Sequence, residues 1–167
     1  MMADLKKTNT DRKSGKCMVV VEDNFNDLTL MKTVIEECGL RGCVIALHDG
    51  ADAIAFFNRS VMNKTHVPGV IFLDLDLPGV PGPKLLQFLK STPELANIPV
   101  VIFSDSNRSS DLAECRRLGA HSFFPKPTSF NDFKKTFTAM LAFWCNELGK
   151  EIEGDLVDET NAGWHWG

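Results

Sequence analysis

No apolar run in the 167-residue chain approaches the roughly 18 to 20 residues needed to cross a bilayer, and the N-terminus has no signal-peptide-like apolar stretch. A membrane span is excluded and a cytoplasmic protein is expected. No arginine- or lysine-rich stripe follows Lys6-Lys7 and Arg12-Lys13-Ser14-Gly15-Lys16, and the formal net charge is −4. The electrostatic footprint of a nucleic-acid binder is therefore missing, and no direct nucleic-acid partner is expected. Cys17, Cys38, Cys43, Cys115 and Cys145 are odd in number and form no CxxC pair. That argues against a structural zinc site or a disulfide framework. Four histidines, His48, His66, His121 and His165, are too scattered for an imidazole metal cluster. There is no internal repeat.

What remains is an ordinary globular composition, 44% hydrophobic and 24% charged. One domain is expected over residues 16–148. A polar tail precedes it at 1–15, and an acidic, aromatic tail follows at 149–167, closing on Gly163-Trp164-His165-Trp166-Gly167. Inside the domain, short apolar runs at Cys17 to Val21, Cys43 to Leu47, Val70 to Leu73, Val100 to Phe103 and His121 to Phe124 alternate with helical patterns. Three runs are almost continuously apolar, as in parallel strands covered on both faces.

Leu28, Met31 and Ile35 share a helical face before Gly39, and a second segment is expected from Ala51 to Asn58. Third and fourth helices are expected at about Lys84 to Lys90 and Asp111 to Leu118, the latter capped by Gly119. Ser129 with Asp132 reads as a capping box, followed by a stripe of Phe130, Phe133, Phe137, Met140, Leu141 and Trp144. Five strands alternating with five helices, joined by right-handed crossovers, predict an α/β protein: a three-layer doubly wound sandwich with its chemistry at the carboxyl ends of the strands.

Acids stand at those ends. Val19-Val20-Val21 stops at Glu22-Asp23, and Val70-Ile71-Phe72-Leu73 stops at Asp74, followed by Leu75-Asp76-Leu77-Pro78. One acid at a strand end is a commonplace turn residue. Three on two strands demand more, because like charges about 4 Å apart repel by roughly 4 kcal/mol at an effective dielectric of 20. An oxygen-only cluster with neither imidazole nor thiolate suits Mg2+, which keeps several waters and adds phosphate oxygens to one or two carboxylates. Two further strand ends supply Ser104 and Lys126, a hydroxyl and an ammonium that can both bond a phosphoryl oxygen.

Glu22-Asp23, Asp74 with Pro78 four residues on, Ser104 and Lys126-Pro127 together resemble the receiver domains of two-component response regulators. The resemblance implies a flavodoxin-like (βα)5 fold with parallel strand order 2-1-3-4-5. It implies that Asp74 accepts a phosphoryl group from a sensor histidine kinase. Asp23, Asp74 and the backbone carbonyl of Asp76 would bind Mg2+ with help from Glu22, and Ser104 and Lys126 would grip the phosphate. Phe123 would follow Ser104 as the switch aromatic, and the Lys126-Pro127 peptide would be cis. The chain would be no enzyme beyond its own phosphorylation and dephosphorylation. It departs from the usual pattern at Asp105, an extra charge beside the site, and at Phe123, which lacks a hydroxyl. Pro125 suits an edge strand.

The rival reading is a haloacid dehalogenase-like phosphatase using Asp74 and Asp76. Its first motif usually lies on the first strand, and no later acidic pair sits on a strand here. A degenerate, purely partner-binding receiver would lack a phosphorylation residue, and none is missing. With no output domain after residue 147, the expected action is on a downstream protein or a phosphotransfer domain. The ending Ala142-Phe143-Trp144 is similar to single-domain regulators paired with bacterial phytochromes. An excess of aromatics in the last helix and the tail predicts a homodimer.

Overall fold

A computed structural model of the protein describes residues 17–40, 44–64 and 67–148. The tails expected at 1–15 and 149–167, including Trp164-His165-Trp166, lie outside the described residues. Five strands form: β1 (Met18–Val21), β2 (Val44–Leu47), β3 (Val70–Leu73), β4 (Val100–Ser104) and β5 (Ser122–Pro125). All pair in parallel in the order β2-β1-β3-β4-β5, the order implied by the resemblance. Each strand starts or stops within a residue of its apolar run, because that run is the stretch both of whose faces must be covered.

Alternate residues of the strands feed two cores. Met18, Val20, Val70, Phe72, Val101 and Phe103 pack under α1 (Phe25–Glu37) and α5 (Phe130–Glu147). Val19, Val21, Ile71, Leu73, Val100 and Ile102 pack under α2 (Gly50–Asn63), α3 (Gly82–Ser91) and α4 (Ser109–Arg117). Helix, sheet and helix thus make the three layers.

Helix boundaries follow local chemistry. Asn24 caps α1, its Oδ1 accepting from the N–H groups of Asn26 (3.0 Å) and Asp27 (3.1 Å). Gly119 takes φ +93° after α4, and the N–H groups of Gly119 and Ala120 close back on the carbonyls of Arg116 and Cys115. The second helix outruns its expected end at Asn58 because Ser60, polar in sequence, is buried with its hydroxyl bonded to the Phe56 carbonyl at 3.0 Å. The third begins two residues early, since Pro83 is tolerated in a first turn. Ser129 caps α5, Asp132 N–H donating to Ser129 Oγ at 3.1 Å, and the Ser129 hydroxyl donates in turn to Asp132 Oδ2 at 2.7 Å.

Two expectations are corrected. No peptide bond among the described residues is cis, so Lys126-Pro127 is trans. Trans is the lower-energy isomer of an X-Pro bond by about 0.5–1 kcal/mol, and in it the Lys126 N–H reaches the Ser104 carbonyl at 2.8 Å. Phe130 is not part of the inward stripe and is 63% exposed. Phe133 and Phe137 stack against Phe72 and Phe103 with ring centroids 5.0 to 5.9 Å apart, and among the described ring contacts Phe130 joins no such stack. Trp144 is buried and Phe143 packs partly against the core, so the aromatic excess on the last helix reduces to one exposed ring.

The start of α3 locks the loop after β3. Gly82 N–H donates to the Leu75 carbonyl at 2.9 Å, and a Cβ built on Gly82 would meet the Asp74 carbonyl oxygen at 2.4 Å and Leu75 Cα at 2.5 Å. Backbone cannot yield as a flexible side chain can. Gly82→Ala is therefore expected to destabilise the domain by about 1–3 kcal/mol, the usual cost of overpacking, as read from the midpoint of urea unfolding.

Candidate functional site

The strand ends converge on an acidic cleft. The Asp74 N–H donates to the Val21 carbonyl at 3.0 Å, so the parallel ladder carries Asp74 past the end of β3 to lie beside the end of β1. Glu22 and Asp74 are buried, Asp23 is exposed, and one carboxylate oxygen from each of the three lies within 4.8 Å of the others. Such a set fits a small hard cation: all donors are oxygen, two come from a dry wall and one faces water. The Asp76 side chain is exposed.

Each buried oxygen has a partner. Asp74 Oδ1 accepts from the N–H of Leu75 at 2.6 Å and of Asp76 at 3.3 Å, and Glu22 Oε1 accepts from Asn24 N–H at 2.9 Å. The Lys126 ammonium, 1% exposed, donates to Glu22 Oε2 at 2.7 Å, to Asp27 Oδ2 at 2.9 Å and to Asp74 Oδ2 at 2.9 Å. Burial works against that ammonium. The charge of Asp74 and the bonds to Glu22 and Asp27 outweigh it and hold Lys126 above the ordinary lysine pKa. One cation facing three anions leaves a surplus of negative charge. Burial first, then Asp74, push the Glu22 carboxyl up to about 7. Asp105, at the rim, is also raised, by desolvation first and with Asp27, Asp74 and Asp76 adding to it against the pull of Lys126.

Glu22, Asp23, Asp74 and Lys126 thus meet as the strand ends suggested. Ser104, fully buried, closes β4 and accepts the Ser106 N–H at 3.4 Å. Phe123 lies on β5, half-buried against the core beneath α2, α3 and α4. Asp27 was missed. Its only sequence signal is an acid three residues after the Asn24 cap, which reads as a capping residue and helix-dipole partner.

The sequence model of the response regulator receiver domain family matches residues 18–138. The chain belongs to that family, whose members are regulators, not enzymes, and the phosphatase reading is set aside. The probable methanogenesis regulatory protein FilR2 of Methanothrix harundinacea is 31% identical over 127 residues, covering 76% of this chain and 82% of FilR2. Response regulator Rcp1 of Synechocystis is 29% identical over 130 residues, 77% of this chain and 88% of Rcp1. The Mn2+-bound crystal structure of Rcp1 superposes with a TM-score of 0.72 at 29% identity, over 77% of this chain and 94% of that one. The phosphorylated cyanobacterial phytochrome response regulator RcpA superposes with a TM-score of 0.74 at 26% identity, over 84% of this chain and 100% of that one. Receiver domains bind Mg2+ or Mn2+ at an acidic site, and this chain carries such a cluster. Among the described residues no helix is long and apolar enough to cross a membrane.

The Glu22 shift has a pH consequence in the absence of divalent metal. A carboxyl whose folded pKa, about 7, lies above its ordinary value of 4.5 binds its proton more tightly in the folded protein. Its contribution to stability is present in full below the ordinary value and fades as pH rises through about 7. Unfolding in EDTA is expected to show wild-type stability falling over that window, with Glu22→Gln flattening the profile and leaving the variant more stable at pH 8 by on the order of 2 kcal/mol. Parallel profiles for the two proteins would contradict the assignment.

Proposed function

We propose that the protein is the receiver of a phosphorelay, in which Asp74 accepts a phosphoryl group from the phosphohistidine of a sensor histidine kinase. The observation that carries this is the Asp74 carboxylate: nearly buried, fixed at the strand end by backbone N–H groups, and facing Glu22, Asp23 and the Lys126 ammonium. An Asp74 oxygen attacks phosphorus, the phosphorus–nitrogen bond breaks, and its electron pair leaves with the imidazole. Asp23, Asp74 and the Asp76 backbone carbonyl, with Glu22, would hold a Mg2+ ion. That ion supplies positive charge against the carboxylates and the phosphoryl oxygens.

The chain's own residues do the rest. Asp74 is held by Leu75 N–H so that its carboxylate cannot swing away from the cleft. Lys126 can turn charge-assisted N–H donors from the carboxylates to the phosphoryl oxygens, and Ser104 offers a hydroxyl. The new phosphoryl charge, about −1.5 to −2 at neutral pH, draws Ser104 inward. Ser104 then gives up the Ser106 N–H it accepts in the resting state, and Phe123 moves into the space vacated. The output is control of a protein partner, or transfer of the phosphoryl group to a phosphotransfer domain. Phytochrome response regulators among the relatives favour a bacterial phytochrome as the kinase. The reading carries with it a cytoplasmic domain over residues 16–148, flanked by tails, and self-association of two copies.

Acetyl phosphate with Mg2+ is expected to add one phosphoryl group by intact mass, and Asp74→Asn to add none, because an amide is a poor nucleophile of nearly the same shape. Labelling of that variant at the wild-type level would sink the proposal. Asp23→Asn is expected to weaken Mg2+ binding by about tenfold, or roughly 1.4 kcal/mol, in titration calorimetry without unfolding the domain. Unchanged affinity would remove Asp23 from the metal set.

A further inference from the structure

The Lys126 ammonium has three N–H donors, and each is already committed to a carboxylate: Glu22, Asp27 and Asp74. It is saturated. If Asp74 is the phosphoryl acceptor, on which this inference rests, a phosphoryl oxygen can take an N–H from Lys126 only by displacing one of the three.

They are not equally displaceable. The Glu22 side chain is 1% exposed, and its other oxygen is bound to Asn24 N–H at 2.9 Å. Released from Lys126, its Oε2 would be left buried without that donor and without water to replace it. Asp74 carries the phosphoryl group itself, so one Lys126 N–H passes with it to a new oxygen, and a second N–H for the phosphoryl group has to come from Glu22 or Asp27. Asp27 differs from both. It sits in the first turn of α1, its backbone N–H is held by the Asn24 cap at 3.1 Å, and its side chain is 22% exposed. The backbone stays in place while the carboxylate turns to water, at a far smaller desolvation cost than Glu22 would bear.

We propose that Asp27 is a positioning residue, which holds Lys126 in the resting protein and yields it to the phosphoryl group. The exchange is one of hydrogen-bond partners only, and the lysine proton stays on nitrogen. The resting ion pair competes with the phosphorylated state, so its strength sets how firmly that state is held. Yielding also severs the side-chain link between the start of α1 and the residue after β5, which places the first turn of α1 among the segments that respond to phosphorylation.

The test uses the full chain with beryllofluoride as the phosphoryl analogue at saturating Mg2+, with affinity read by fluorescence or calorimetric titration. Asp27→Asn is expected to bind beryllofluoride about tenfold more tightly than wild type, the difference between a hydrogen bond to a charged acceptor and one to a neutral amide oxygen. Asp105→Asn separates competition from a general field effect, because Asp105 feels the charge of Lys126 while the three N–H donors of that lysine go to Glu22, Asp27 and Asp74. It is expected to change the affinity by less than about twofold, as for a solvent-screened charge. Asp27→Glu, which keeps both charge and acceptor, is expected to stay nearer wild type than Asp27→Asn. In the wild-type protein the carboxyl carbon of Asp27 is expected to shift in NMR spectra on beryllofluoride addition, a readout that needs no variant to fold. Unchanged or weaker binding by Asp27→Asn, equal tightening by Asp105→Asn, or an unmoved Asp27 carboxyl carbon would each overturn the proposal. Failure of the underlying reading looks different: wild type itself would not bind beryllofluoride, or Asp74→Asn would bind it equally well.

Discussion

One buried ammonium holds the working end of this molecule together. Lys126 follows β5, and its three partners come from the end of β1, the first turn of α1 and the end of β3. Taking any of these ions out of water costs several kcal/mol, which mutual attraction repays only with good geometry and full hydrogen bonding. Both conditions hold here, with every distance between 2.7 and 2.9 Å and the remaining oxygens of Glu22 and Asp74 bonded to backbone N–H groups. The arrangement is still unbalanced, three potential anions to one cation, and the raised Glu22 carboxyl is the symptom. That surplus suits the cation which the proposed function brings to the site.

The topology explains why these groups meet. In the order β2-β1-β3-β4-β5 the chain reverses direction across the sheet between β1 and β3, and the loops leaving those two strands part to opposite faces, opening a crevice. Glu22, Asp23 and Asp74 stand at that crevice because each follows a strand buried on both faces. The two apolar cores fix the register, and a slip by one residue would turn every core side chain to the wrong face. Gly82 completes the geometry from the far side, since only a residue without Cβ lets α3 begin against the backbone of Asp74 and Leu75.

The strands were legible because continuous apolar runs four or five residues long have few other uses, and their ends then pointed to Asp74, Glu22, Asp23, Ser104 and Lys126. The helices were less so. Asn58-Arg59-Ser60 reads as a polar stop, yet Ser60 is buried with its hydroxyl satisfied by the helix itself, and α2 continues to Asn63. Phe130 fits the spacing of an inward stripe, but spacing cannot tell that the stack of Phe133 and Phe137 on Phe72 and Phe103 leaves the preceding ring outside. Asp27 was hidden for a similar reason. An acid in the first turn of a capped helix already has a sufficient local explanation, and its partner is 99 residues away in sequence.

The division of labour among the acids follows from their exposure. Asp23, which faces solvent, is the carboxylate that an incoming hydrated cation meets first in the proposed function, and it can bind without giving up a protein partner. Glu22 and Asp74 can join it while keeping Lys126, because each carboxylate oxygen accepts more than one bond. A second positive charge then relieves the repulsion that burial imposes on Glu22, instead of competing with the lysine for it. Asp27 stands outside that carboxylate cluster and is bonded to Lys126 alone among the charged groups of the cleft. Its attachment is therefore the one that neutralisation of the cluster does not reinforce, and, in the proposed function, the one left to decide where the lysine points once Asp74 carries a phosphoryl group.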